Sequence, residues 1–105
     1  MTFEEKTIES ERIYEGRILN LRRDKVHVVG DKVSHREIVE HRGGVTIAAL
    51  TDDGKMVMVR QFRKAAEKVL LEAPAGKLDE GEDPATAAAR ELREETGYTA
   101  KNMIY

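Results

Sequence analysis

Apolar and polar positions divide the chain into short β-type segments followed by one helical segment. From Ile18 to Val29 the pattern reads as one or two strands, with alternation clearest at Val26-His27-Val28. Gly30-Asp31-Lys32 is a turn signal, and Val33 to Val39 reads as the returning strand of a hairpin. The first dozen residues, MTFEEKTIESER, are polar and charged and predict a loosely held arm. His41-Arg42-Gly43-Gly44 interrupts the pattern, and the apolar run Val45–Leu50 then predicts a buried strand. Asp52-Asp53-Gly54-Lys55 is a hairpin turn, because Asp-Gly tolerates positive φ, and Met56 to Phe62 is its partner strand. Val69-Leu70-Leu71 is a further apolar run, ended by Ala73-Pro74-Ala75-Gly76.

The period then changes from two to 3.6. Asp83 is an N-cap residue, Pro84 fits the first helical position, and Gly97 is a C-terminal stop. Between them Ala85, Ala88, Ala89, Leu92 and Thr96 follow the spacing of a buried stripe. After Tyr98 the sequence heads toward another strand, ending at Tyr105.

Composition narrows the class. The chain has 105 residues, 40% hydrophobic and 36% charged, with a net charge of −2 and no cysteine. The length allows one small domain at most, and the mix excludes collagen-like, low-complexity and plainly disordered chains. Without cysteine there is no disulfide framework, thiol nucleophile or cysteine zinc site. No apolar stretch approaches a membrane span, and the N-terminus lacks a signal-peptide profile, so the expected compartment is the cytoplasm. The near-neutral balance argues against nucleic-acid binding. With no Trp, two Phe and three Tyr the expected core is thin, and support from a partner is expected.

Charge is distributed unevenly. Residues 1–42 carry nine basic and nine acidic side chains, residues 43–70 five and three, and residues 71–105 four and eight. A basic middle followed by an acidic third suits an anionic ligand and a cation sharing one site. In the helix, Glu91, Glu94 and Glu95 are related by i+3 and i+4, and at about 100° per residue they lie beside the apolar stripe, pointing partly inward. Like charges at this spacing repel by about 0.2–0.5 kcal/mol each. Acid in the last turn also opposes the helix dipole, by about 0.3–1 kcal/mol. A divalent cation reverses both signs, and an oxygen-only carboxylate set selects Mg²⁺ or Mn²⁺. The alternative is a solvated acidic face balanced by Arg90 and Arg93.

The surrounding spacing discriminates between these readings. Gly76, Glu82, Arg90-Glu91-Leu92-Arg93-Glu94-Glu95 and Gly97-Tyr98 reproduce the Nudix box, G-x5-E-x7-R-E-U-x-E-E-x-G-U with U a bulky aliphatic residue. All seven fixed positions match, which has a chance probability on the order of 10⁻⁸. Tyr98 in the last U position is the one soft departure. Outside the box, Gln61-Phe62-Arg63 and Leu71-Glu72-Ala73-Pro74-Ala75-Gly76 resemble the Q-F-R and E-x-P-A-G segments of ADP-ribose pyrophosphatases, and the hairpin ending Arg36-Glu37-Ile38-Val39-Glu40-His41 resembles the arm preceding their Nudix domain. The resemblance covers residues 5–104.

The resemblance implies an α/β/α sandwich with a mixed sheet, cut short here and preceded by an N-terminal β-hairpin arm. Residues 1–42 would be the arm, serving dimerisation and substrate binding, and residues 43–105 a partial Nudix domain with its box at 76–98. It implies metal-dependent hydrolysis of a nucleoside diphosphate derivative, foremost ADP-ribose to AMP and ribose 5-phosphate. Glu91, Glu94 and Glu95 would ligate Mg²⁺ or Mn²⁺ with the carbonyl of Ala75. Arg90 would orient a glutamate, and Glu82, Gly76 and Gly97 would support the loop and helix. Arg63 would clamp the diphosphate, with Arg36 a second candidate, and Glu72 would contact substrate or the metal shell. His27, His35 and His41, distant in sequence from the carboxylates, are read as ordinary strand or surface histidines. The family's enzymes are longer, so the chain alone is expected to be a homodimer, completed by further polypeptide, or poorly stable. Two other readings stay open: a non-catalytic fragment used for dimerisation or ligand binding, and a Nudix enzyme for another nucleotide sugar, a dinucleoside polyphosphate or NADH.

Overall fold

A computed structural model describes residues 3–105. The chain divides into two compact units, the first ending at His41 and the second spanning Arg42–Tyr105, where the length argument expected one domain. In the first unit, β1 (Thr7–Glu15), β2 (Leu19–Val28) and β3 (Lys32–His41) form an antiparallel sheet in the order β1-β2-β3. The β2–β3 hairpin follows the predicted pattern, with Val28 opposite Lys32 across the turn. The arm expected to be loose is instead strand β1, which lies at the sheet edge with every residue exposed. It is held by backbone pairing and polar contacts, which leave no apolar alternation to read. Ser10 donates to Asp24 at 2.5 Å, and Arg22 reaches both Asp24 at 3.3 Å and Glu40 at 3.1 Å. Asp24 is the buried charge of this sheet, and the Ser10 hydroxyl, then Arg22, holds its carboxyl below the usual range.

The second unit departs further from the expected strands. The run Val45–Leu50 is a strand only over β4 (Gly44–Thr46), and of its residues only Ile47 is buried. Its main partner is not Met56–Phe62 but β7 (Ala75–Lys77), a strand whose Gly and flanking Pro conceal it in the sequence. Ile47 N donating to Pro74 O at 2.8 Å and Leu78 N to Gly43 O at 3.1 Å extend that ladder at both ends. The Asp53-Gly54 turn does form, with Thr51 N donating to Lys55 O at 2.8 Å, but beyond it lie the isolated bridge Leu50–Met56 and a Val57 N–Ala49 O bond rather than a long strand pair. The true partners are β5 (Val59–Arg63) and β6 (Lys68–Glu72), which make their own antiparallel hairpin.

The helix α1 (Pro84–Thr96) has the predicted bounds. The Asp83 side chain accepts from Thr86 N, and Gly97 ends the helix in the left-handed region at φ 78°, which a glycine adopts without steric cost. The buried stripe is rotated slightly from the expected one. Ala87, Ala88 and Leu92 are buried, Ala89 and Thr96 half-buried, and Ala85 exposed. Leu92 and Ala88 pack on Ile47, with Val45 and Ala49 alongside. This packing sets one face of α1 against the β4–β7 ladder. Replacing Asp83 by alanine is expected to destabilise this unit by about 1 kcal/mol, measured by urea unfolding. An unchanged midpoint would mean that the cap contributes nothing. Among the described residues no helix is long and apolar enough to cross a membrane.

Candidate active site

The residues singled out in the second unit gather around α1 and β7. The loop between β7 and α1 leaves Glu82 just ahead of the N-cap, where Asp79 N donates to it at 3.1 Å. Arg90, two turns along the helix, grips both oxygens of the same carboxylate with one edge of its guanidinium, Nε to Oε2 at 2.9 Å and Nη2 to Oε1 at 2.9 Å. Its remaining nitrogen, Nη1, donates to Glu91 at 2.8 Å and to Glu94 at 3.2 Å, while Nη2 also reaches Lys77 O at 3.3 Å. One guanidinium thus ties the loop, the end of β7 and two helix glutamates together. The bidentate form of the Glu82 contact adds geometric precision to its strength. The hydrogen bonds that Arg90 donates to Glu82 and then to Glu91 favour its cation, raising its pKa.

Glu82 shows the reciprocal effect. Its carboxyl is held down at about 2 by the Arg90 hydrogen bonds and then by the Asp79 amide, which outweigh partial burial. The folded-state value lies below the ordinary carboxyl value, so the unfolded chain binds the proton more readily between about 4.5 and 2. The Glu82 contribution to stability is therefore complete above that window and lost as pH falls through it. Urea unfolding of the wild type is expected to show a midpoint that drops from pH 5 toward 2, and Glu82→Gln a shallower drop. Parallel curves would contradict this.

The other glutamates divide by exposure. Glu91 is turned inward, its side chain 13% exposed, with its carboxylate against the backbone of Gly76. A Cβ on Gly76 would lie 2.0 Å from the Glu91 Cδ, so this strand position admits only glycine while Glu91 occupies its place. Glu95 is half-buried and accepts from Ala75 N at 3.3 Å, which brings it to the residue whose carbonyl was singled out as a ligand. Glu94, also expected to point inward, is instead exposed, its side chain at 56%, because its position lies beyond the stripe that packs on Ile47.

Arg63 and Glu72 close the second unit's polar cluster. Glu72 accepts from Arg63 Nε at 3.0 and 2.8 Å and from Nη2 at 2.5 Å. This pairing holds the Glu72 carboxyl below its ordinary value and favours the Arg63 cation, to which the Glu95 charge also contributes. Arg36 lies in the first unit, on β3, where Glu5 takes it at 2.9 and 2.6 Å, and Glu40 takes Arg12 and Arg22. His27, His35 and His41 belong to the same unit.

Three carboxylates on adjacent turns of one helix, beside a strand backbone, form a hard, oxygen-only donor set that suits a divalent cation. Among the described residues no three ligating groups already converge on a point, since Arg90 draws Glu91 and Glu94 to itself. Cation binding at this set would require Glu94 to turn from Arg90 Nη1, a change open to an exposed side chain. Two contributors escaped the sequence reading, the Lys77 carbonyl and Asp79. Only the spacing of Asp79 three residues before Glu82, typical of a local turn, hints at the second.

Sequence and fold comparisons agree with this layout. Residues 5–39 match the nucleoside diphosphate sugar hydrolase N-terminal domain. An ADP-ribose pyrophosphatase of Bacillus subtilis is 51% identical over 102 residues, covering 97% of this chain and 55% of the relative. A methanol dehydrogenase activator of Bacillus methanolicus is 52% identical over 101 residues, covering 96% and 55%. The chain thus spans about half the length of the curated relatives it matches. A crystal structure described as an ADP compounds hydrolase superposes with a TM-score of 0.78 at 24% identity, over 94% of this chain and 54% of that one, and establishes the common fold. Residues 40–105, which hold β4 to α1 and every side chain around Arg90, match the NUDIX domain, and the chain belongs to the NUDIX family.

Proposed function

We propose that this chain supplies the cation-binding carboxylates for hydrolysis of the diphosphate of ADP-ribose, giving AMP and ribose 5-phosphate. The observation that carries the reading is the Arg90 hub, which fixes Glu82, Glu91 and Glu94 around one guanidinium while Glu95 sits on Ala75 N. The names of the Bacillus subtilis relative and of a 49% identical ADP-ribose pyrophosphatase of Mycobacterium tuberculosis support the choice of substrate.

Glu91, Glu94, Glu95 and the Ala75 carbonyl are assigned to hold Mg²⁺ or Mn²⁺. Bound there, such a cation would supply charge to offset the phosphate oxygens and would lower the pKa of a bound water. The chain's own residues do the rest. Glu91 is placed by the Gly76 backbone and Arg90, and Glu95 by the Ala75 amide, so these two ligands are oriented before substrate arrives, and Glu94 joins them on turning from Arg90. Arg63 offers a guanidinium to the diphosphate, and Arg36 is a second anion-binding candidate from the N-terminal unit. Water attacks one phosphorus, the bridging oxygen leaves with the other phosphate, and no covalent enzyme intermediate is needed. A homodimer through the N-terminal unit is part of the same reading.

The test is product analysis after incubation with ADP-ribose, a nucleotide sugar, a dinucleoside polyphosphate and NADH, each with Mg²⁺ and Mn²⁺. AMP and ribose 5-phosphate from ADP-ribose, in preference to cleavage of the others, is the expected result. Preferential cleavage of another compound would replace the substrate assignment, and no cleavage of any would favour a binding module.

A further inference from the structure

Arg63 and Glu72 stand at opposite ends of the β5–β6 hairpin. In the ladder Arg63 pairs with Lys68, and Glu72 with Val59. They are therefore offset by four positions along the ladder, yet their side chains make three contacts between 2.5 and 3.0 Å. By strand alternation Val59, Gln61 and Arg63 share a face with Lys68, Leu70 and Glu72. The Arg63 side chain must run back along that face, past Gln61 and Leu70, to reach Glu72. A long, flexible cation lying along a strand needs an anchor, and Glu72 is the less exposed partner, at 22% against 45%.

The manner of contact is informative. Glu72 takes the Nε and Nη2 edge of the guanidinium and leaves Nη1 without a hydrogen bond among the described residues. Glu72 also begins the turn into β7, three residues before Ala75, whose amide holds Glu95. The Glu95 charge is near enough to favour the Arg63 cation. The guanidinium that carries the free Nη1 is thus held at Glu72, within electrostatic reach of Glu95.

We propose that Glu72 is a positioning residue: it touches neither substrate nor cation, and acts by gripping the Nε/Nη2 edge of Arg63 so that Nη1 is presented to a diphosphate oxygen beside Glu95. The inference rests on the diphosphate reading above and adds a division of labour within it. Losing one charge-assisted anchor is expected to weaken diphosphate binding by roughly tenfold.

A double-mutant cycle on the full chain tests it. ADP-ribose binding is measured by calorimetry in EDTA, where hydrolysis does not interfere, for wild type, Arg63→Ala, Glu72→Ala and the double variant, with melting curves as a folding control. Glu72→Ala is expected to bind about tenfold more weakly in the wild-type background and to change nothing in the Arg63→Ala background. Glu72→Gln, which keeps an acceptor for one N–H, is expected to recover part of the loss and serves if the alanine variant fails to fold. A Glu72 loss of equal size in both backgrounds would overturn the positioning role while leaving the diphosphate reading intact. Absence of ADP-ribose binding by the wild type would overturn both.

Discussion

Replacing Arg90 by alanine is expected to lower diphosphate hydrolysis by about 10- to 100-fold, the range typical when a residue that orients ligands is lost. The side chain holds Glu82 by two hydrogen bonds and Glu91 and Glu94 by one each, and it reaches the Lys77 carbonyl at the end of β7. Its removal leaves three carboxylates with no shared cation, and like charges on adjacent turns then push apart. The loop loses its anchor as well, because Glu82 is the carboxylate that accepts from the Asp79 amide. Arg90→Lys is expected to rescue little. An ammonium keeps the charge but cannot fork onto Glu82 while also serving Glu91. Arg93→Ala is the control, since Arg93 is exposed and makes no ion pair among the described residues. Initial rates for the three variants decide the matter. Equal losses in Arg90→Ala and Arg93→Ala would mean that only net charge counts.

Gly76→Ala is expected to be comparably damaging, on the order of 10²-fold in rate, through displacement of a group it never contacts chemically. The added methyl would sit 2.0 Å from the Glu91 Cδ and 2.3 Å from both carboxylate oxygens. Either the carboxylate leaves or β7 shifts away from the helix, and β7 is tied to β4 through Val45 opposite Gly76. A misplacement of about 1 Å in a reacting constellation costs about that much. Glu91→Gln in the Gly76→Ala background is expected to add little, because Glu91 has already lost its place. Near-wild-type rates for Gly76→Ala would show that Glu91 need not approach the strand.

How much of this was legible in the sequence depends on the range of the interaction. The bounds of the helix are legible, because Asp83, Pro84 and Gly97 act within one turn of themselves, whereas the exact buried face is set by the packing on Ile47. The Gly76-to-Gly97 spacing likewise locates the carboxylates and Arg90 along the chain. Strand pairing was less accessible. Phe62 pairs with Val69 and not with a residue of the Val45 run, a choice made by long-range register that local alternation does not encode. β1 carries no periodic mark, because its residues are exposed and many are charged. β7 was missed because Ala75-Gly76-Lys77 has weak strand propensity, and it forms where β4 and α1 enclose it. In the site, the motif supplied Gly76 without its reason, which is the Glu91 carboxylate fifteen residues later. The Arg63–Glu72 pairing along the hairpin had no local signal at all.

On the reading proposed above, the α1 glutamates and the Ala75 carbonyl form a divalent-cation site. Its most direct test is Mn²⁺ titration of the chain followed by electron paramagnetic resonance, comparing wild type with Glu94→Gln. Saturable Mn²⁺ binding by the wild type is expected, displaced by excess Mg²⁺ and weakened at least tenfold in Glu94→Gln. Equal Mn²⁺ affinity in the two proteins, or none in the wild type, would contradict it.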